Sequence, residues 1–232
     1  MLVRRSLLVL ALALLTVRCA DQPMAVNAVR APATPQFLPW AGNVAPQFTA
    51  TSSQHQHDRG RSASMAPPLS LDSYQVSFWA VRGESRFVKI NYQSAIDQDS
   101  HPFLRLTTTD PHFVPGVGEL AVGDSVLITV TVDTTKIGVS LEPSGLEFGE
   151  PARLEIWYGG AGGDLNGDGV VDSIDTGVEQ QLLGLWYREG TEDDWTHLAA
   201  SQDTTEQVFQ YALPHFCEYA IAESLLDLAV SW

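Results

Sequence analysis

Residues 125–133 read SVLITVTVD, and this stretch decides the fold. Val126, Ile128, Val130 and Val132 fall on one side of an extended chain, while Leu127, Thr129 and Thr131 fall on the other. A period of two marks a strand with one buried face, because successive side chains of a pleated backbone point in opposite directions. The same rhythm continues outward in both directions. Upstream, Tyr74, Val76, Phe78 and Ala80 alternate with Gln75, Ser77 and Trp79; Arg82-Gly83-Glu84 turns the chain into Val88, Ile90 and Tyr92, and residues 102–107 form another short run. Downstream come Ile137, Val139 and Leu141, then Leu154, Ile156 and Tyr158, Leu185-Trp186-Tyr187, Trp195–Ala199, Val208–Leu213 and Phe216–Ala222. Around ten short strands broken by turn residues, with one short helical stretch, predict an all-β antiparallel β-sandwich over residues 71–232. The final ESLLDLAVSW, residues 223–232, is apolar and fits either a last strand or an amphipathic end.

One segment, residues 159–184, breaks the rhythm. At its centre residues 164–175 read DLNGDGVVDSID. A calcium loop of twelve residues takes oxygen ligands from positions one, three, five, seven, nine and twelve, with Gly at six for a sharp turn. Those positions hold Asp164, Asn166, Asp168, Val170 (through its carbonyl), Asp172 and Asp175, with Gly169 at six. Four carboxylates so close repel one another unless a cation lies between them, so the expected cofactor is Ca2+. Val171, at position eight, is expected to pin the loop to the core. Gly159, Gly160, Gly162 and Gly163 exclude a helix before the loop. SIDTGVEQQLLG after it carries Ile174, Val178 and Leu182 at four-residue spacing, which predicts a helix ended by Gly184. With Asp at its last position and no helix before it, the loop resembles the dockerin type more than the ordinary EF-hand. Dockerins carry two such loops and this chain has one, so the resemblance covers the loop and implies no cohesin partner.

LEIWYG leads into the insert and LGLWYREG leaves it. Paired as a hairpin, these strands place Trp157 and Trp186 together on one outer face. Two readings follow: an aromatic platform for a sugar or a protein, or a pair covered by the insert's own helix. The second is favoured, since that helix needs a surface against which to bury Val178 and Leu182.

Composition bounds the partners. The 232 residues carry a formal charge of −15, and the only lysines are Lys89 and Lys136. Removing residues 1–18 deletes Arg4, Arg5 and Arg18 and no acid, taking the charge to −18. Such a surface opposes nucleic acid and anionic membranes. Residues 1–20 read as a signal peptide: Arg4 and Arg5 open it, and Leu7–Leu15 is an apolar core too short to span a bilayer. Cys19 follows, which raises a lipoprotein signal cut before that residue, although Arg18 occupies a place where a small residue is expected. The expected location is therefore exported: periplasmic, anchored at the outer membrane through a lipid on Cys19, or extracellular. Cys217, the other cysteine, then has no partner unless it bridges to Cys19. Residues 21–70, with seven prolines amid Ala, Gln, Ser and Thr, read as a disordered tether spanning on the order of 40 Å. His55 and His57 read as solvated residues within it.

GLEFGEPARLEIWY, residues 145–158, and LPHFCEYAIAES, residues 213–224, resemble segments of the ankyrin and netrin-receptor sandwich domain known as ZU-five; Asp194-Trp195-Thr196-His197-Leu198 matches a third, shorter element. The resemblance covers roughly residues 72–222 and implies a β-sandwich used for protein–protein interaction. It does not include the calcium insert. Some relatives cleave themselves at His-Phe-Ser, where the Ser hydroxyl attacks the carbonyl before it. Here the triplet is His215-Phe216-Cys217, so the resemblance raises self-cleavage at Phe216-Cys217, with His215 as base; the alternative is a strand with a small buried Cys217. No other catalytic pattern stands out. His101, His112 and His197 lack zinc spacing, and there is neither a Gly-x-Ser-x-Gly elbow nor a phosphate loop. The sequence thus predicts an exported calcium-binding interaction module without catalytic activity, whose partner is another protein or a cell-surface polymer. Carbohydrate binding at Trp157 and Trp186 and self-cleavage before Cys217 are the alternatives.

Overall fold

The computed structural model describes residues 35–53, 69–70 and 74–224. Along the chain the strands are β1 (Gln36–Phe37), β2 (Phe48–Ser52), β3 (Leu69–Ser70), β4 (Gln75–Val81), β5 (Arg86–Gln93), β6 (Ser100–Thr108), β7 (Pro111–Val114) and β8 (Gly118–Glu119). Then follow β9 (Ser125–Val132), β10 (Gly138–Glu142), β11 (Glu147–Trp157), β12 (Leu183–Arg188), β13 (Thr196–His197), β14 (Ser201–Asp203), β15 (Val208–His215) and β16 (Glu218–Glu223). One α-helix, α1 (Ser173–Gln181), stands between β11 and β12. No helix among the described residues is long and apolar enough to cross a membrane.

The strands form two antiparallel sheets, so the fold is an all-β sandwich. The first sheet runs β13-β12-β16-β10-β9-β4, with β1 also beside β16; the second runs β14-β15-β11-β6-β5-β2-β3, with the β7–β8 hairpin attached to β11. The stretch that predicted the architecture is β9. Its Val126, Ile128, Val130 and Val132 are buried, as the alternation requires. They sit level with Ala80, Phe78 and Val76 of β4 on one side and with Leu141 and Val139 of β10 on the other. Val88 and Ile90 of β5, Leu104 and Leu106 of β6, and Leu154 and Ile156 of β11 complete the core, all fully buried. Each such side chain contributes about 1.5–3 kcal/mol relative to exposure, which outweighs the weak propensity of any single short strand.

The first sheet turns on β16. β12 lies along one side of it, from Leu183 opposite Glu223 to Arg188 opposite Glu218. On the other side β10 and β1 follow one another, β10 level with residues 218–220 and β1 with residues 222–223. The Leu38 N–H donates to the Ile221 carbonyl and the Leu38 carbonyl accepts from Ile137, which closes the gap between those two short strands.

This arrangement corrects the expected tether. Residues 35–53 and 69–70 belong to the sandwich, as β1, β2 and β3, and the sandwich begins well before residue 71. Leu38, Trp40, Phe48 and Ala50 are buried in the core. Trp40 packs edge-on against Phe48 and Phe103, and its indole N–H donates to the Asp133 carbonyl at 2.8 Å. The apolar residues here are spaced by prolines at turns, so they show no long periodicity, yet each short piece fills an open sheet edge. The rest of the expected tether (with His55 and His57), the signal region with Cys19, and residues 225–232 lie outside the described residues.

Candidate metal centre

The insert starts where β11 ends. Gly159–Ala161 forms a single 3-10 turn, so β11 leads into the loop without an α-helix between them, in line with the glycine-rich sequence. The turn is seated by Trp40: a Cβ on Gly160 would lie 2.5 Å from the indole ring, so only glycine allows this approach. The loop therefore grows from a junction between β11 and the amino-terminal segment.

Within the loop, side-chain oxygens accept backbone N–H groups a few residues away. One carboxylate oxygen of Asp164, Oδ2, accepts the Gly169 N–H at 2.9 Å, joining position one to position six. Asn166 Oδ1 accepts from the Asp168 N–H at 2.9 Å, and Asp168 Oδ1 accepts from the Val170 N–H at 2.8 Å. Gly169, at φ +85°, takes the left-handed turn that position six demands. Asp172 caps α1 by accepting the Ile174 N–H, while Asp175 returns the bond by accepting the Asp172 N–H. Asp175 is buried and also accepts from Leu165 and Asn166. The Asp172 N–H, with those two, holds its carboxyl below the ordinary carboxylate value. A charged carboxylate thus stays at position twelve.

The chemistry of the donors fits a hard cation. The second oxygen of Asp164, Oδ1, is buried without a hydrogen-bond partner. An orphaned carboxylate oxygen costs free energy that a divalent cation would recover. Glu223, at the end of β16, also has a buried oxygen without a partner. Burial raises its pKa, and the charge of Asp175 adds to the effect. The loop's carboxylates are not drawn together to mutual ligand distance: among the described residues, the group of three or more potential side-chain ligands that does converge lies elsewhere. In this structure one oxygen at the first loop position is orphaned, while the side chains of Asn166, Asp168, Asp172 and Asp175 are held by backbone donors.

Beside the loop lies a cleft of about 710 Å³, lined by Phe37, Trp40 and Asn43 on one wall and Asp164, Leu165 and Asp168 on the other. The loop is held to the sandwich by Leu165 at position two, which is buried, and not by Val171, which is 65% exposed. The expectation for position eight is thus corrected: the loop faces the amino-terminal segment, and its second residue turns inward. α1 docks through buried Val178, with Leu182 partly buried and Ile174 exposed. The Tyr158 hydroxyl donates to Glu179 at 2.8 Å, and Gln202 donates both to that hydroxyl and to the Glu179 carbonyl. The helix ends at Gln181 with Leu182 as its cap. Gly184 is a buried residue of β12, opposite Ala222, so it serves strand pairing and not helix termination.

The predicted hairpin does not form. β11 pairs with β15 and β6 in one sheet, while β12 pairs with β16 and β13 in the other. Trp157 and Trp186 therefore belong to different sheets. Trp186 is buried, its indole N–H donating to the Ala222 carbonyl at 3.3 Å. The insert crosses from sheet to sheet instead of tipping a hairpin, and a two-tryptophan platform has no geometric basis.

Cys217 is buried between β15 and β16. Burial pushes its thiol up to about 12, with the charges of Glu189 and Glu218 acting in the same direction. The Phe216 carbonyl accepts the Gly145 N–H at 2.9 Å and the Phe216 N–H donates to Leu146. A buried, protonated thiol is poorly disposed to attack the carbonyl before it. The structure also brings together what spacing alone did not reveal: Glu189, just after β12, lies against His215 and Cys217. Its only signal in the sequence is that it ends a strand running antiparallel to the one that follows Cys217. Comparison with protein-family models, curated protein sequences and solved structures finds no match to this chain.

Proposed function

We propose that the chain is an exported or surface-anchored module that binds one calcium ion and engages another protein or a cell-surface polymer, without catalysis. The ligands are Asp164, Asn166, Asp168, the Val170 carbonyl, Asp172 and Asp175. The observation that carries this reading is the buried, unpartnered oxygen of Asp164 at position one of a loop whose other oxygen already closes onto Gly169. Calcium would tighten the loop against the segment Gln36–Asn43 across the shared cleft. It thus consolidates the junction at which the amino-terminal segment joins the sandwich. The resemblance to ZU-five sandwiches adds the expectation of a protein partner.

Calcium should order the insert and leave most strands unchanged, because nearly all of the core residues come from outside the loop. The test is calcium titration by calorimetry, with hydrogen exchange in calcium and in chelator. One equivalent should bind, Asp168→Ala should remove it, and chelation should speed exchange in residues 159–184. Exchange that changes equally in every strand, or heat of binding that survives Asp168→Ala, overturns the proposal. The intact mass of the protein from its native membrane fraction reports signal removal and lipidation at Cys19 together.

A further inference from the structure

The geometry points to a second metal site, made by Glu189, His215 and Cys217, that takes a borderline transition ion of the zinc class. The three residues come from three separate places in the sandwich. Glu189 follows β12 and Cys217 precedes β16, both strands of the first sheet, while His215 ends β15 in the second. Their candidate ligand atoms, one carboxylate oxygen, one imidazole nitrogen and the sulfur, all lie within 4.8 Å of one another. The His215 Nε2 to Glu189 Oε1 separation is 3.5 Å. A tetrahedral zinc with bonds of about 2.0–2.3 Å sets its ligands about 3.3–3.8 Å apart, so His215 and Glu189 already stand at that spacing and the sulfur lies within 4.8 Å of both.

The donor set selects the ion. Thiolate and imidazole favour zinc-class ions, whereas calcium takes oxygen ligands. Three protein ligands leave a fourth position for water, and half-exposed Glu189 opens that position to solvent. The neighbouring cations are already engaged: Arg188 and Lys136 both pair with Glu218, and among the described residues no Lys or Arg pairs with Glu189. The Tyr219 hydroxyl donates to the His215 carbonyl at 3.0 Å, fixing the backbone of one ligand. On binding, the sulfur–metal bond forms as the S–H bond breaks and its proton leaves to solvent. The cation supplies the positive charge that offsets burial, and with it the charges of Glu189 and Glu218, which together hold the thiol protonated. A bound ion would tie the two sheets together at this end of the sandwich.

The test uses the reduced, chelator-stripped full chain in saturating calcium, which keeps the 164–175 loop filled. Zinc is titrated by calorimetry, and cobalt is added in its place for absorption. The expected result is one equivalent of zinc, a thiolate-to-cobalt charge-transfer band, and loss of that band in Cys217→Ser. Losing one ligand should weaken zinc by more than the roughly 10–100-fold of an outer-shell change, in His215→Gln and in Glu189→Gln alike. Those two side chains are partly exposed, so their variants report even if Cys217→Ser fails to fold. His197→Gln should bind as the unchanged chain does. No charge-transfer band, or zinc affinity in His215→Gln equal to that of the unchanged chain (as for zinc held at His55 and His57), overturns the assignment.

Discussion

Trp40 offers the sharpest test of where the sandwich begins. It is 1% exposed, touches Phe48, Tyr92 and Phe103, and donates its indole N–H to the Asp133 carbonyl. Trp40→Ala removes a buried ring at about 3–5 kcal/mol and leaves that carbonyl without its donor at about 1 kcal/mol more. The sum, about 4–6 kcal/mol, is a large share of the ~5–15 kcal/mol that holds a domain together. At about 2–4 °C per kcal/mol for a domain of this size, Tm should fall by roughly 8–24 °C. The assay is urea unfolding followed by circular dichroism, with Tm by calorimetry in calcium throughout. Trp40→Phe keeps most of the packing and should lose far less, which keeps the experiment readable if the alanine variant does not fold. Trp79→Ala is the control: Trp79 is 47% exposed on β4 opposite Leu127, and such a cross-strand pair contributes about 1 kcal/mol or less. If Trp40→Ala costs no more than Trp79→Ala, residues 35–53 act as a tether and the reasoning fails.

Other outcomes follow from the same packing. Gly160→Ala puts a methyl group 2.5 Å from the Trp40 ring; such overpacking costs about 1–3 kcal/mol, measured as a lower urea midpoint at unchanged m-value. Tyr158→Phe removes the hydroxyl that joins Glu179 to Gln202, and hydrogen exchange should quicken in α1 while β9 keeps its protection. The Cys217 thiol, pushed up to about 12, should resist alkylation at pH 8 in metal-free folded protein and react at once in urea. Because its pKa is higher folded than unfolded, the stability it contributes is full below the unfolded value and is lost as pH rises toward about 12; Cys217→Ala should flatten part of that alkaline decline. The intact mass should show no break between Phe216 and Cys217, and a loss of the residues after Phe216 would contradict the buried, protonated thiol described above.

Much of the fold was legible in the chain because burial on one face of a strand imposes a period of two. Val126 to Val132, Phe78 and Ala80, Val88 and Ile90, and Leu154 and Ile156 all announced their faces, and each is buried as read. The candidate loop, residues 164–175, stood out for a different reason: its oxygen donors come from one short segment, so their spacing alone singles them out. What the chain could not show depends on which strands meet. Trp157 and Trp186 flank the insert symmetrically in sequence, yet hydrogen bonding sends β11 to β15 and β12 to β16, in opposite sheets. Leu38 and Trp40 sit among prolines without periodicity, and only the open edge of β16 and the space beside Phe103 made them core. His215 and Cys217 are two residues apart, but Glu189 lies far from both along the chain, and three strand ends bring the three together. Local chemistry, carried by residues a few positions apart, was determined by the sequence itself. The partnerships between distant strands were decided by which edges remained to be paired and which cavities remained to be filled, and only the folded chain makes that choice.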